Sequence, residues 1–255
     1  MTDVYKTPES DLIEAKSLEG YGSLERGIAG QFEFSIGAII REAWEKTSGA
    51  KGRIWLALLL YIVVAAIVGA VVPFLLKLVG LPTQPVPGEA FSAILLVGII
   101  VSQLIIMVVT MPMGVGLFMI GLKTAVGAPV TPTEILNYYH KTIPLLVTVI
   151  IMYIMLAIGF VLFIIPGIYL MFAYYLAIPL IVEKGLSPWQ ALEASRKAIS
   201  KCWFRFFGFG ILLMVIMVLA MIPLGIGLIW VLPLMLIAYG IVYRNIFGFE
   251  GSVNG

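Results

Sequence analysis

SPWQALEASRKAISK, residues 187–201, carries Glu193, Arg196, Lys197 and Lys201 between two long stretches without charge. Uncharged runs occupy residues 54–76, 90–122, 142–182 and 206–243. A helix needs about 20 apolar residues to cross the hydrocarbon of a bilayer. The first run is therefore one crossing, and the third and fourth are each long enough for two. A segment as charged as 187–201 has to stand outside the hydrocarbon, so it separates one pair of spans from the next.

Composition agrees with this reading. The chain of 255 residues is 61% hydrophobic and 12% charged, about half the charge of a soluble domain. Its mean hydropathy is +1.08. IIPG at 164–167 divides the third run and MIPLGIG at 221–227 divides the fourth. Proline removes an amide donor and stops a helix, and glycine admits the turn. The run 90–122 is either one long helix kinked at Pro112, or a span followed by a short interfacial helix. Six spans result.

Lysine and arginine then fall almost wholly on one side. Arg41, Lys46, Lys51, Arg53, Lys123, Lys141, Lys184, Arg196, Lys197, Lys201, Arg205 and Arg244 share it with the N-terminus, and Lys77 stands alone on the other. The positive-inside rule makes the first side cytoplasmic and puts both termini there. The loop 77–90, with three prolines, is expected to be stiff and extended. Residues 1–33 are polar and glycine-bearing and read as a mobile tail, with no signal-peptide pattern. Residues 34–248 form the membrane domain, and 249–255 a short C-terminal tail.

The opening segment has two counterparts. SIGAIIREAWEK begins at Ser35 and TPTEILNYYHK at Thr131, and each, like SPWQALEASRK, precedes a pair of spans. Each opens with a Ser or Thr N-cap. Five residues on stand Ile40, Leu136 and Leu192. Pro132 and Pro188 suit the first helical position, and Thr131 with Glu134 and Ser187 with Gln190 make capping boxes. Leu192, Ser195, Ile199, Cys202 and Trp203 share one helical face, opposite Gln190, Glu193, Lys197 and Lys201. The fold expected is all-α: six transmembrane helices in three hairpins, each preceded by a cytoplasmic interfacial amphipathic helix. The pseudo-repeats run over about 35–127, 131–184 and 187–245. Trp44, Trp55, Trp189 and Trp203 are the expected interfacial anchors. Arg196, Lys197, Lys201 and Arg205 are the expected contacts to anionic lipid headgroups.

Chemistry is sparse. One histidine, His140, and one cysteine, Cys202, exclude an intrachain disulfide and any zinc-spaced cluster. His140 lacks a partner carboxylate in a recognisable motif and reads as a surface residue. Cys202 reads as a buried, inert thiol. No ionisable residue falls inside the spans, whereas proton-coupled transporters place such groups there. Gln103 is expected to hydrogen-bond between helices. Pro112, Pro179 and Pro233 each fall in the second helix of a unit and are expected to kink it. No catalytic residue, metal ligand, cofactor or nucleic-acid motif is found.

The stretch 164–203, IIPGIYLMFAYYLAIPLIVEKGLSPWQALEASRKAISKCW, resembles a signature of uncharacterised bacterial inner-membrane proteins. These are similar to the membrane domain of some glycerophosphodiester phosphodiesterases. The resemblance rests on Pro166 and Gly167, the aromatic stretch 169–175, and Gly185, Ser187, Ala191 and Ser195. It implies a bacterial cytoplasmic-membrane location and transfers no activity, because the soluble catalytic domain has no counterpart here. The function expected is a non-enzymatic, lipid-associated or scaffolding membrane component, with anionic lipids and a membrane protein as possible partners. The alternative is a transporter or channel for a lipid or small hydrophobic molecule.

Overall fold

The computed structural model describes residues 21–85 and 92–250. Its α-helices are α1 (Leu24–Ala29), α2 (Ile36–Leu78), α3 (Ala93–Val126), α4 (Thr142–Leu162), α5 (Ile164–Ala173), α6 (Ala177–Glu183), α7 (Pro188–Met221) and α8 (Leu228–Phe247). Short 3-10 turns cover Pro132–Leu136 and Tyr139–Lys141. Counting Pro132–Leu162 and Ile164–Glu183 as single spans, six helices are long and apolar enough to cross a membrane. The protein is a polytopic all-α membrane protein.

The expected interfacial helices are largely corrected. The first does not exist as a separate element, because α2 runs unbroken for 43 residues, roughly 65 Å. Gly37, Gly49 and Gly52 are the glycines in its charged half, and glycine inside a helix costs only about 1 kcal/mol. The second folds as 3-10 turns. Ile135 is fully buried because Gly116 of α3 lets its backbone approach, while Leu136 and Tyr139 stay exposed. Only the third is an α-helix of the expected kind, capped by Ser187 and Gln190. It continues into α7 through a bend at Cys202, whose φ of −130° and ψ of 23° leave helical geometry. Ser200 donates to the Arg196 carbonyl at 2.5 Å, the back-bonding that bends helices.

The break in the third run lies at Phe163 (φ −161°, ψ 152°), not at Pro166 and Gly167. Pro166 sits in the first turn of α5, where its missing donor costs nothing. Pro112 and Pro233 lie inside continuous helices, so residues 93–122 of the second run belong to one helix, α3. Pro179 does more. The helix breaks at Tyr174–Leu176, one turn before it, and Ala177 N–H bonds the Tyr174 carbonyl instead of that of Ala173. Ser195, fully buried on α7, repairs the gap: its hydroxyl donates to Ala173 O at 2.7 Å and accepts from Leu176 N–H at 3.2 Å. Ser195→Ala leaves both groups unpaired and should cost about 1–3 kcal/mol. Thermal melting should drop more for it than for Ser200→Ala, whose hydroxyl is exposed. Equal melting would mean the gap closes without Ser195.

The hairpins are staggered. Helix α8 lies along the charged half of α2, from the Arg244–Glu42 pair at one end to Trp55 Nε1–H donating to Ile229 O at 2.8 Å at the other. The contact stripe on α2 is Ile39, Ala43, Thr47, Ala50, Ile54 and Ala57, all buried. Beyond Ala57 no residue of α2 is fully buried, and Val64 is the last to touch the core. Lys51 sits 5.4 Å from the Trp230 ring centre, beside the first turn of α8. Lys51 and the turn 221–227 therefore share one depth. The assignment of Lys51 to one membrane face and of that turn to the other is corrected.

Residues 21–33 are not a loose tail. Ser23 caps α1, Gly30 (φ +81°) ends it, and the helix packs on α7 and α8. Gly22 N–H bonds Arg244 O at 3.1 Å. The remainder of the expected tail (1–20), most of the expected C-terminal tail (251–255) and the loop residues 86–90 lie outside the described residues.

Candidate functional site

The surface around residues 187–205 is built by the capping box, the bend at Cys202 and the packing of one face. Ala191, Leu192, Ser195, Ile199 and Cys202 are buried against the protein. Glu193 holds Arg196 through two hydrogen bonds, 2.9 and 2.8 Å, and Lys197 at 3.4 Å. Lys201 and Arg205 are exposed and have no ion pair among the described residues. Trp189 is 57% exposed. A groove of about 290 Å³ runs beside this face, lined by Leu24, Ile28, Trp189, Glu193 and Lys197 among others. Of the four predicted cations, then, two are engaged by one carboxylate and two face outward.

The predicted tryptophans do different things. Trp44 is 55% exposed on α2. Trp55 is the tie between α2 and α8 already described. Trp203 stacks on Phe207, ring centres 5.1 Å apart, and meets Tyr169 at 6.3 Å. The motif residues also have local work. Gly185 adopts φ +66°, Ser187 caps α7, Ala191 is fully buried, and Ser195 bridges the break before Pro179.

Sequence reasoning missed a polar seam where the helices converge. Arg244 of α8, its side chain 8% exposed, donates to both carboxylate oxygens of Glu42 at 2.7 and 2.9 Å and to Ala125 O of α3 at 2.8 Å. From the preceding residue, Tyr243 O–H donates to Glu183 Oε2 at 2.8 Å. Lys184 lies 3.4 Å from Glu183 and 2.7 Å from Glu250. Lys123 meets Glu134 at 2.9 Å. The side chains of Lys184 and Arg244, two of the cations assigned to the same side as the N-terminus, are buried and paired. Arg244–Glu42, Tyr243–Glu183 and Lys184–Glu250 join elements distant in sequence, so spacing carries no trace of them.

The centre beside this seam is filled by aromatic rings. Tyr243, Phe206, Phe209 and Phe247 are fully buried. Tyr175 stacks on Tyr239 at 4.5 Å. Toward the lipid-facing side a cleft of about 200 Å³ opens between α2, α7 and α8, lined by Leu58, Tyr175, Met217, Leu232, Met235 and Tyr239 among others.

His140 is exposed, its Nδ1 2.9 Å from Asn137 O. Cys202 is buried. Among the described residues no group of three His, Cys, Asp or Glu side chains is placed to hold a metal ion. Gln103 is exposed, and the bond between helices expected of it is not made among the described residues. No family model matches the chain, and neither a curated protein nor a solved structure matches it.

Proposed function

We propose that the chain is a non-enzymatic, multi-pass component of a bacterial cytoplasmic membrane that associates with anionic lipid through the outer face of residues 187–205, with both termini cytoplasmic. The observation that carries this reading is the division of that helix. The face carrying Leu192, Ser195, Ile199 and Cys202 is consumed by the protein, which leaves Lys201, Phe204 and Arg205 exposed at the far end of the helix from Trp189. Cations at such a surface each contribute about 1 kcal/mol toward anionic headgroups. Kinship with the phosphodiesterase-linked membrane domains belongs to the same proposal and gains no support from the comparisons.

A second reading, carriage of a lipid or small hydrophobic molecule, is favoured by the cleft at Met217 and Met235. Flexible methionines suit a chain of variable shape. One experiment separates the two. Retention of phosphatidylglycerol and cardiolipin is measured by native mass spectrometry on the wild type, on Lys201→Glu with Arg205→Glu, and on Met217→Trp. Headgroup binding predicts a loss of about 30-fold or more on charge reversal, with phosphatidylcholine unaffected. A carrier predicts that the cleft-filling variant loses lipid of any headgroup. Undiminished anionic-lipid retention after charge reversal would sink the first reading.

A further inference from the structure

We infer that the groove between the first turn of α5 and the bend of α7 holds one anionic phospholipid, with an acyl chain against Trp203 and the phosphate toward Arg196. The inference rests on the lipid reading above and gives it a site. The groove measures about 360 Å³ and is lined by Ile165, Pro166, Tyr169 and Trp203. Small-ligand sites run from roughly 300 to 1,000 Å³. Its walls come from two elements. Arg196, Ser200, Trp203 and Phe207 recur at helical spacing on one face of α7. That face meets α5: Ser200 pairs with Tyr169, Trp203 lies 6.3 Å from the Tyr169 ring, and Phe207 lies 5.1 Å from the Phe172 ring. The α5 wall is fixed from behind. A Cβ on Gly167 would come within 2.4 Å of the Phe160 ring of α4.

The groove changes character along its length. At one end the Tyr169 hydroxyl and Ser200 Oγ lie 2.5 Å apart, and Tyr169 also stands beside the Arg196 guanidinium. Glu193 takes Nε and Nη2 of Arg196 and leaves Nη1 without an ion pair among the described residues. At the other end stand the Trp203 ring, Pro166 and Ile165, the last 79% exposed. A ligand that suits both ends is an anion carried on hydrocarbon. Hydroxyls and a guanidinium nitrogen donate to phosphate oxygens, and a phospholipid presents its phosphate at the head of its chains. The surrounding charge selects the rest of the headgroup. Arg196, Lys197, Lys201 and Arg205 outnumber Glu193 along this helix, which disfavours a choline and accepts a glycerol.

The test titrates the full chain in detergent with phosphatidylglycerol and counts bound lipids by native mass spectrometry. Wild type should hold one molecule more tightly than any that follow. Ile165→Trp fills the groove from an exposed position. It should weaken that first molecule about 10-fold or more, the equivalent of two methylenes kept out, and should melt like wild type without lipid. Tyr169→Phe should weaken it about 10-fold through loss of one hydrogen bond to a charged group. Inorganic phosphate at millimolar concentration should not displace it. Four results overturn the inference: no tighter first lipid, wild-type binding by Ile165→Trp, wild-type binding by Tyr169→Phe, or displacement by inorganic phosphate. Lys201→Glu with Arg205→Glu separates this inference from the reading beneath it. Lipid lost there while both groove variants bind as wild type keeps the headgroup reading and removes the groove. Lipid kept by all of them removes both.

Discussion

Gly240→Val should leave little folded protein. Helices α3 and α8 meet backbone to backbone at Gly121 and Gly240, and a Cβ at position 240 would lie 2.6 Å from Gly121 O and 2.7 Å from Leu122 Cα. Neither neighbour is a flexible side-chain end, so the helices themselves would have to part. Overpacking of a core costs about 1–3 kcal/mol when side chains can shift, and a backbone contact belongs at or beyond the top of that range. The effect reaches past the crossing, because parting α3 from α8 also draws Ala125 O away from Arg244. Gly114 of α3 is the control. A Cβ there meets nothing within 4 Å, so Gly114→Ala should leave the melting temperature unchanged or raise it slightly. Size-exclusion profiles and thermal melts of the two variants in one detergent check this. A Gly240→Val protein that elutes and melts with wild type would mean that the close crossing is not needed.

Arg244→Met should be the most damaging change to a charged residue. It keeps most of the side-chain bulk and removes five hydrogen bonds at once: two to Glu42, one to Ala125 O and two to Asn245 Oδ1. Removing one member of a buried ion pair costs about 3–5 kcal/mol, because the other is stranded. Glu42 keeps a side-chain exposure of 33%, so water relieves part of that penalty and the low end, about 3 kcal/mol, applies. The double variant Arg244→Met with Glu42→Gln should be more stable than Arg244→Met alone, since no unpaired carboxylate remains. Additive losses in the double variant would show that the two side chains are not coupled.

Much of the fold could be read directly. Span count follows from where charges are missing, and the capping boxes at Thr131 and Ser187 are formed as their spacing requires. What could not be read has physical causes. Proline was taken as the break in 164–167, yet a helix tolerates proline in its first turn, and Phe163, three residues before Pro166, takes the extended conformation. The segment after Ser35 carries charges, which suggested an interfacial piece separate from the span, but nothing between residues 36 and 57 obliges the helix to stop. The buried pairs were hidden more deeply. Glu42 and Arg244 are 202 residues apart, and a local reading assigns each to water. Of the candidate lipid face, the cations were legible. The pairing of Glu193 with Lys197 follows from their i,i+4 spacing, whereas its two bonds to Arg196 depend on rotamers that sequence does not specify.

The bond from Gly22 N–H to the Arg244 carbonyl has a consequence for biogenesis. Its two ends are separated by nearly the whole length of the polypeptide. A ribosome adding about 5–20 residues each second needs roughly 10–45 s to travel from one to the other. During that interval the first hairpin is already made, Glu42 and the Ala125 carbonyl wait without their guanidinium, and residues 21–30 lack the α8 part of the surface they dock on. The final helix is therefore a keystone, and its arrival converts a set of inserted hairpins into one body. A truncation lacking α8 should insert but stay sensitive to protease near residues 21–35, where the intact chain is shielded.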